Sequence, residues 1–164
     1  MTSLASVVAA DCAAWVAFSA VAGVAAAYLP ASFLQAVTWL TTIRPFERQG
    51  RFYRERLRIH RWKRMLPESN RLGPGRRPSK ATLSGPNAIA GLLVETRRAE
   101  YVHLAIAATG PLFLLWNPPV LGRFMVVFGL LFNLPFIAVQ RYNRARILRL
   151  RLPVGHSAHA RWAR

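Results

Sequence analysis

The sequence predicts an all-α integral membrane protein with three or four membrane segments and a basic cytoplasmic face. Three observations carry that reading. The chain is 53% hydrophobic over 164 residues, yet its formal net charge is +17. A soluble domain has no use for that combination, whereas a membrane protein with one basic side accommodates both. The charge is also segregated: no Lys or Arg precedes Arg44, and Arg123 is the one basic residue between Tyr101 and Gln140. The longest apolar run, Leu4 to Leu29, is broken only by Asp11. As a helix it would reach about 39 Å, enough to cross a bilayer with tilt.

That run lacks the basic start of a signal peptide and is read as a retained span. Asp11 either has a function or reaches the interface, since it lies near the start of the span. Pro30 ends the helix. Phe33 to Ile43 is apolar but too short to cross unaided, which leaves a re-entrant, interfacial or strained fourth segment open. Arg44 to Leu66 interleaves arginines with Phe46, Phe52, Tyr53 and Trp62. It is expected as a helix on the membrane surface, its arginines reaching headgroups. Nucleic-acid binding suits the same pattern, but membrane segments flank this one, so no nucleic-acid partner is expected. Pro67 to Pro86 is rich in Pro, Gly and Ser and reads as a loop.

Val102 to Trp116 and Phe124 to Val139 form two apolar arms around the break at Asn117-Pro118-Pro119. Each arm gives only ~24 Å of helix, short of the ~30 Å hydrocarbon core. Both helices must therefore extend into polar flanks at one membrane face. The expected organisation is a single membrane domain, 1–164. It comprises N-terminal membrane segments (1–43), a basic cytoplasmic interfacial helix and loop (44–94), a helical hairpin carrying the polar site (95–151) and a flexible tail (152–164). His156 and His159 in the tail are not read as ligands. The lone Cys12 forms no intrachain disulfide, and no zinc-like Cys/His spacing occurs, so no metal or cofactor is implied.

The most informative stretch is Glu95–His103. On a helix, Thr96, Glu100, His103 and Ala107 share a face. Glu100 and His103 then form either an acid–base pair or a charged juxtamembrane cap. In a hairpin turning near Val120, Glu100 is level with Gln140, Arg97 with Asn143 and Thr96 with Arg144. Asn133, Gln140 and Arg144 share a face of the return helix, and Pro135 frees the carbonyl of Leu131, which Asn133 is placed to help satisfy. Three polar groups converge: Glu95/Glu100/His103, Gln140–Arg144, and the basic segment at Trp62-Lys63. With no Gly-x-Ser-x-Gly and no phosphate-cradling glycine loop, direct transfer assisted by a general base fits better than covalent catalysis.

These residues carry a resemblance. Glu95-Thr96-Arg97-Arg98-Ala99-Glu100 with His103, then Asn133-Leu134-Pro135 and Gln140-Arg141-Tyr142-Asn143-Arg144, resemble the glycosyl-4,4'-diaponeurosporenoate acyltransferases. Phe46-Glu47-x-x-Gly50-x-Phe52 and Trp62-Lys63 with Leu66-Pro67-Glu68 add to it. Leu104, Ala145 and Arg64 depart from the family's usual residues. The resemblance implies a membrane enzyme of bacterial carotenoid synthesis, and the positive-inside rule gives a multi-pass cell-membrane protein with its basic segments, 44–100 and 140–164, in the cytoplasm. Such an enzyme moves a long fatty acyl group onto a sugar hydroxyl of a glycosylated carotenoid, the last step toward staphyloxanthin. Its partners would be the lipid membrane, an activated acyl donor such as acyl-CoA, and a glycosylated isoprenoid or glycolipid acceptor.

The catalytic expectation is His103 as base, Glu100 orienting it, and Asn143 and Arg144 donating to the oxyanion. Substrate binding falls to Glu95, Arg97, Arg98, Trp62, Lys63, Asn133, Gln140, Arg141 and Tyr142. Arg97, Arg141 and the 44–64 segment are expected at the donor's phosphates. The competing expectation is a non-catalytic basic tether or scaffold for anionic lipid or an acidic partner.

Overall fold

The computed structural model describes residues 3–66 and 88–151, and within them every regular element is helical. Helix α1 (Leu4–Ala27) starts at Ser3, whose side chain accepts from the Ser6 N–H, a favoured N-cap arrangement. Its last carbonyls are satisfied from another helix. Arg98 Nη1 donates to the carbonyls of Ala26, Ala27 and Leu29, so a guanidinium caps the C-terminus.

Helix α2 is a single turn, Ala31–Gln35. The chain from Ala36 to Arg44 is irregular, so Phe33–Ile43 does not form a crossing helix. Thr38, Thr41 and Thr42 compete for its backbone: Thr42 Oγ1 donates to the Thr38 carbonyl at 2.7 Å, and the Thr41 hydroxyl accepts from the Thr38 N–H at 3.2 Å. Such local bonds divert the chain from helix.

The continuous surface helix expected over Arg44–Leu66 is absent. In its place come a 3-10 segment (Pro45–Gly50), α3 (Arg51–Glu55), α4 (Ile59–Trp62) and a 3-10 turn (Lys63–Met65). Left-handed backbone breaks it. Arg48, Gln49 and Gly50 have φ of 45°, 54° and 91°, and Arg58 has φ of 49°. Gly50 is required twice over. Its φ suits glycine, and a Cβ there would lie 3.2 Å from Ala145 Cβ and 3.6 Å from the Tyr142 ring. The broken path tucks Tyr53 and Ile59 against Tyr142, with Phe52, Trp62, Ala138 and Val139 packed around them. Ile59 enters this core because the chain folds back.

Helices α5 (Ala88–Ala108) and α6 (Pro119–Arg151) form the expected antiparallel hairpin. Both extend into their polar flanks. The first arm is shorter than expected, because α5 stops at Ala108 and Gly110–Leu115 is 3-10, where Pro111 cannot donate into a continuing helix. Pro119 opens α6 at a position where a missing N–H costs nothing. Small residues allow close approach: a Cβ on Gly129 would fall 2.6 Å from the Trp15 ring of α1. Trp15 stacks on Phe113 with centroids 4.6 Å apart.

Two helices, α1 and the 119–149 part of α6, are long and apolar enough to cross a membrane. Their large apolar side chains, among them Val16, Val21, Phe124, Leu131 and Phe132, are exposed. A belt of that size on one molecule marks a surface meant for lipid or another apolar partner. The expected loop 67–86 and the tail 152–164 with its histidines lie outside the described residues.

Candidate active site

The polar residues of α5 and α6 meet as two groups. The larger is built on Arg141. Its Nε and Nη2 form a fork on Glu47, at 3.2 Å to Oε2 and 2.5 Å to Oε1. Nη1 donates to Glu100 Oε1 at 2.7 Å and to the Leu40 carbonyl at 2.9 Å, and Nη2 donates to the Thr42 carbonyl at 2.6 Å. A guanidinium has five N–H groups, and these contacts occupy them all. Arg141 was expected to bind substrate phosphates; the structure instead makes it the tie between both helices of the hairpin and the irregular 36–47 segment.

Glu100 is 1% exposed and takes a second guanidinium: Arg144 Nη1 lies 2.5 Å from its Oε2. The level predicted for Glu100 was Gln140, and its partners are one and four residues beyond. The Cα–Cβ bonds of α6 tilt toward its N-terminus, which carries the long Arg144 side chain back to the height of Glu100. Thr96 does not meet Arg144 and donates to its own helix, at the Leu93 carbonyl. Arg97 does not meet Asn143. It is buried and donates from Nη1 to the carbonyls of Leu34 and Gln35 at 2.9 and 3.0 Å. Arg97 and Arg98 are thus backbone caps for α2 and α1, and Glu95 pairs loosely with Arg98 at 3.4 Å. Among the described residues, Arg144 Nε and Nη2 have no hydrogen-bond partner.

The second group lies further toward the hairpin turn. The expected contact between Glu100 and His103 is not made. His103 Nδ1 pairs with Asn133 Oδ1 at 2.9 Å. Asn133 Nδ2 donates to the Gly129 carbonyl at 2.8 Å, not to the carbonyl that Pro135 frees at Leu131. The imidazole stacks on Phe136 at 4.5 Å, the last ring of a ladder running Phe124, Phe128, Phe132, Phe136. These bonds determine the histidine's tautomer. Because Gly129 can only accept, Asn133 must aim its NH₂ at it and its oxygen at His103. His103 then carries its proton on Nδ1 and keeps a lone pair on Nε2.

Asn143 is half-buried and adjoins Arg144. Both lie about 15 to 17 Å along α6 from Asn133. Tyr142 is in the aromatic core, with Lys63 Nζ 5.5 Å and the Arg146 guanidinium 5.7 Å from its ring centre. Trp62 Nε1 donates to the Leu57 carbonyl at 2.8 Å. Gln140 is half-buried beside Arg141.

Sequence reasoning missed Glu47 and Tyr53 as members of this site. Glu47 is fully buried, and Tyr53 donates to its Oε2 at 2.8 Å. The clue was scarcity: there are six carboxylates in the chain, and one falls just where the basic segment begins. Burial alone would raise the Glu47 carboxyl, but hydrogen bonds from Arg141, the Arg44 N–H and Tyr53 more than reverse this and hold it below 4.5. The Tyr53 hydroxyl is pushed well up, first by burial and then by its Glu47 acceptor. A lowered carboxyl makes the folded state bind fewer protons than the unfolded chain. Its stabilisation is therefore complete above about pH 4.5 and is lost as pH falls through the lower folded value. Thermal unfolding in detergent should show that acid loss in the wild type, and Glu47→Gln should flatten it while lowering stability at neutral pH.

A family model described as glycosyl-4,4'-diaponeurosporenoate acyltransferase matches residues 30–152, which takes in the whole site. Curated proteins of that name are similar. Those of Staphylococcus aureus strains USA300 and NCTC 8325 / PS 47 are 27% identical over 107 residues, and that of strain MRSA252 is 26% identical over 106. Each match covers 64% of this chain and 64% of the relative, so the chain is aligned to somewhat less than two thirds of their length. No solved structure matches. With the family model spanning three quarters of its length, the chain belongs to the glycosyl-4,4'-diaponeurosporenoate acyltransferase family.

Proposed function

We propose that this protein is a membrane acyltransferase that moves a long fatty acyl group from an activated donor onto a sugar hydroxyl of a glycosylated carotenoid or similar glycolipid. The observation that carries the reading is the Gly129–Asn133–His103 relay, which leaves Nε2 as a base. The acceptor hydroxyl gives its proton to Nε2 as its oxygen attacks the acyl carbonyl. The tetrahedral intermediate then expels the donor's leaving group, which takes the proton back from Nε2. Arg144, whose Nε and Nη2 are unpartnered among the described residues, is assigned to the developing oxyanion, with Asn143 beside it. Glu100 acts through Arg144 rather than on His103.

The proposed setting is a bacterial cell membrane crossed three times, by α1, α5 and α6. The irregular 36–44 segment supports three crossings over four. Its carbonyls at Trp39, Leu40 and Thr42 are taken by Arg44 and Arg141, an arrangement that suits an interface rather than lipid. The excess of arginine in the sequence of 44–100 and 140–164 supports a cytoplasmic side for those segments and an outer side for the N-terminus.

Lipid extracts from cells with and without the chain, compared by mass spectrometry, test the activity. An acyl ester that appears only with the protein is expected. Its absence with the protein correctly inserted would favour the tether reading, which the exposed arginines of 48–64 support.

A further inference from the structure

We infer that the open cavity between the left-handed turn at Arg48-Gln49-Gly50 and the end of α6 is a binding site for adjacent phosphate oxyanions, as carried by a pyrophosphate-linked molecule. The cavity measures about 790 Å³ and is walled by Arg44, Arg48, Arg51 and Arg149, a size typical of small-ligand sites. Among the described residues, no acidic side chain lines it. Glu47, the carboxylate of this segment, is turned the other way and spent on Arg141 and Tyr53. Arg44 is occupied, donating to the Trp39 carbonyl at 2.7 Å and lying over its ring at 4.9 Å. Arg48, Arg51 and Arg149 have no ion pair or side-chain hydrogen bond among the described residues.

Three uncompensated guanidinium groups around one space repel each other, and an anion shared between them reverses that sign. The backbone supplies a second, independent observation. Two successive non-glycine residues, Arg48 and Gln49, hold left-handed conformations, which L side chains avoid unless the surroundings impose them. That turn brings Arg48 to the same cavity as Arg149, whose Nη2 would lie 3.8 Å from a Cβ on Gly50. Phosphate is the anion of choice over carboxylate because three separate guanidinium forks match several oxyanions better than one.

Two sources supply this chemistry: a soluble, nucleotide-linked acyl donor or the headgroups of anionic phospholipid. Assigning the site to the donor rests on the acyl-transfer reading; the phosphate chemistry does not. The test uses the full chain in nanodiscs, with coenzyme A and inorganic pyrophosphate as soluble probes in neutral phosphatidylcholine. A parallel arm measures how much phosphatidylglycerol the chain retains when extracted in mild detergent from mixed phosphatidylcholine–phosphatidylglycerol vesicles. The variant is Arg48→Gln with Arg149→Gln, and Arg48→Lys with Arg149→Lys keeps the charge as a control.

Coenzyme A binding weakened at least tenfold in the glutamine variant, and only partly in the lysine variant, is the expected result and identifies the soluble source. Loss of phosphatidylglycerol retention alone supports the site with lipid as its source. Equal binding by wild type and glutamine variant in both arms overturns the inference. Turnover is not needed for any of these readings. A chain that binds coenzyme A through these arginines but makes no ester would defeat the acyl-transfer proposal and leave the phosphate site standing.

Discussion

Arg141→Met is expected to abolish accumulation of the folded protein. The substitution keeps a long side chain but removes a guanidinium from two carboxylates that are 0% and 1% exposed, leaving Glu47 with Tyr53 and the Arg44 N–H and Glu100 with Arg144 alone. It also frees the carbonyls of Leu40 and Thr42. Removing one member of a buried pair costs about 3–5 kcal/mol, and here one guanidinium serves two acids. Against a total stability of about 5–15 kcal/mol, that loss is large enough to unfold the hairpin's polar end. Yield after detergent extraction and the unfolding temperature report it. Arg141→Lys should fall between the two, because an ammonium cannot reproduce the fork on Glu47. An Arg141→Met protein that unfolds at the wild-type temperature would show that the network is ornamental.

His103→Ala should have the opposite profile: normal insertion and near-normal unfolding, with acyl transfer reduced about 10²- to 10⁴-fold, the usual worth of a positioned base. The residue contacts one polar group, Asn133, and one ring, Phe136, so its removal leaves no buried charge unpaired. Asn133→Ala separates positioning from chemistry. It keeps the imidazole but frees its tautomer, so kcat should drop by less than in His103→Ala while KM for the acceptor holds. Ester formation at the wild-type rate in His103→Ala would remove the histidine from the mechanism.

The comparison of sequence with structure is uneven along the chain, for physical reasons. Helices α1 and α6 were legible because an apolar run of bilayer length has few alternatives. The hairpin register was legible because Asn117-Pro118-Pro119 can only interrupt a helix, and the polar flanks had to meet once both arms proved short. The partner choices were not legible. A carboxylate three residues from a histidine on one helix invites a local pair, yet two arginines from α6 bind Glu100 more strongly. The segment after Arg44 misled in another way. Its residues have ordinary helical character, yet Glu47 turns inward to Arg141, a partner 94 residues away, and the left-handed residues Arg48 and Gln49 follow it directly. No local pattern records a contact of that range.

Asp11 has a consequence in time. It is 2% exposed on α1, and its Oδ1 accepts from Trp116 Nε1 at 2.8 Å and Asn117 Nδ2 at 2.9 Å, partners that lie 105 and 106 residues later in the chain. At roughly 5–20 residues per second of synthesis, those partners emerge some 5–20 seconds after the aspartate does. For that interval α1 carries a carboxyl with neither hydrogen bond. The first segment is thus a provisional passenger on the ribosome's schedule, and the last turn of the hairpin is the latch that makes its position permanent. Translation halted before Trp116 would strand α1 with its least apolar group lacking both of these partners.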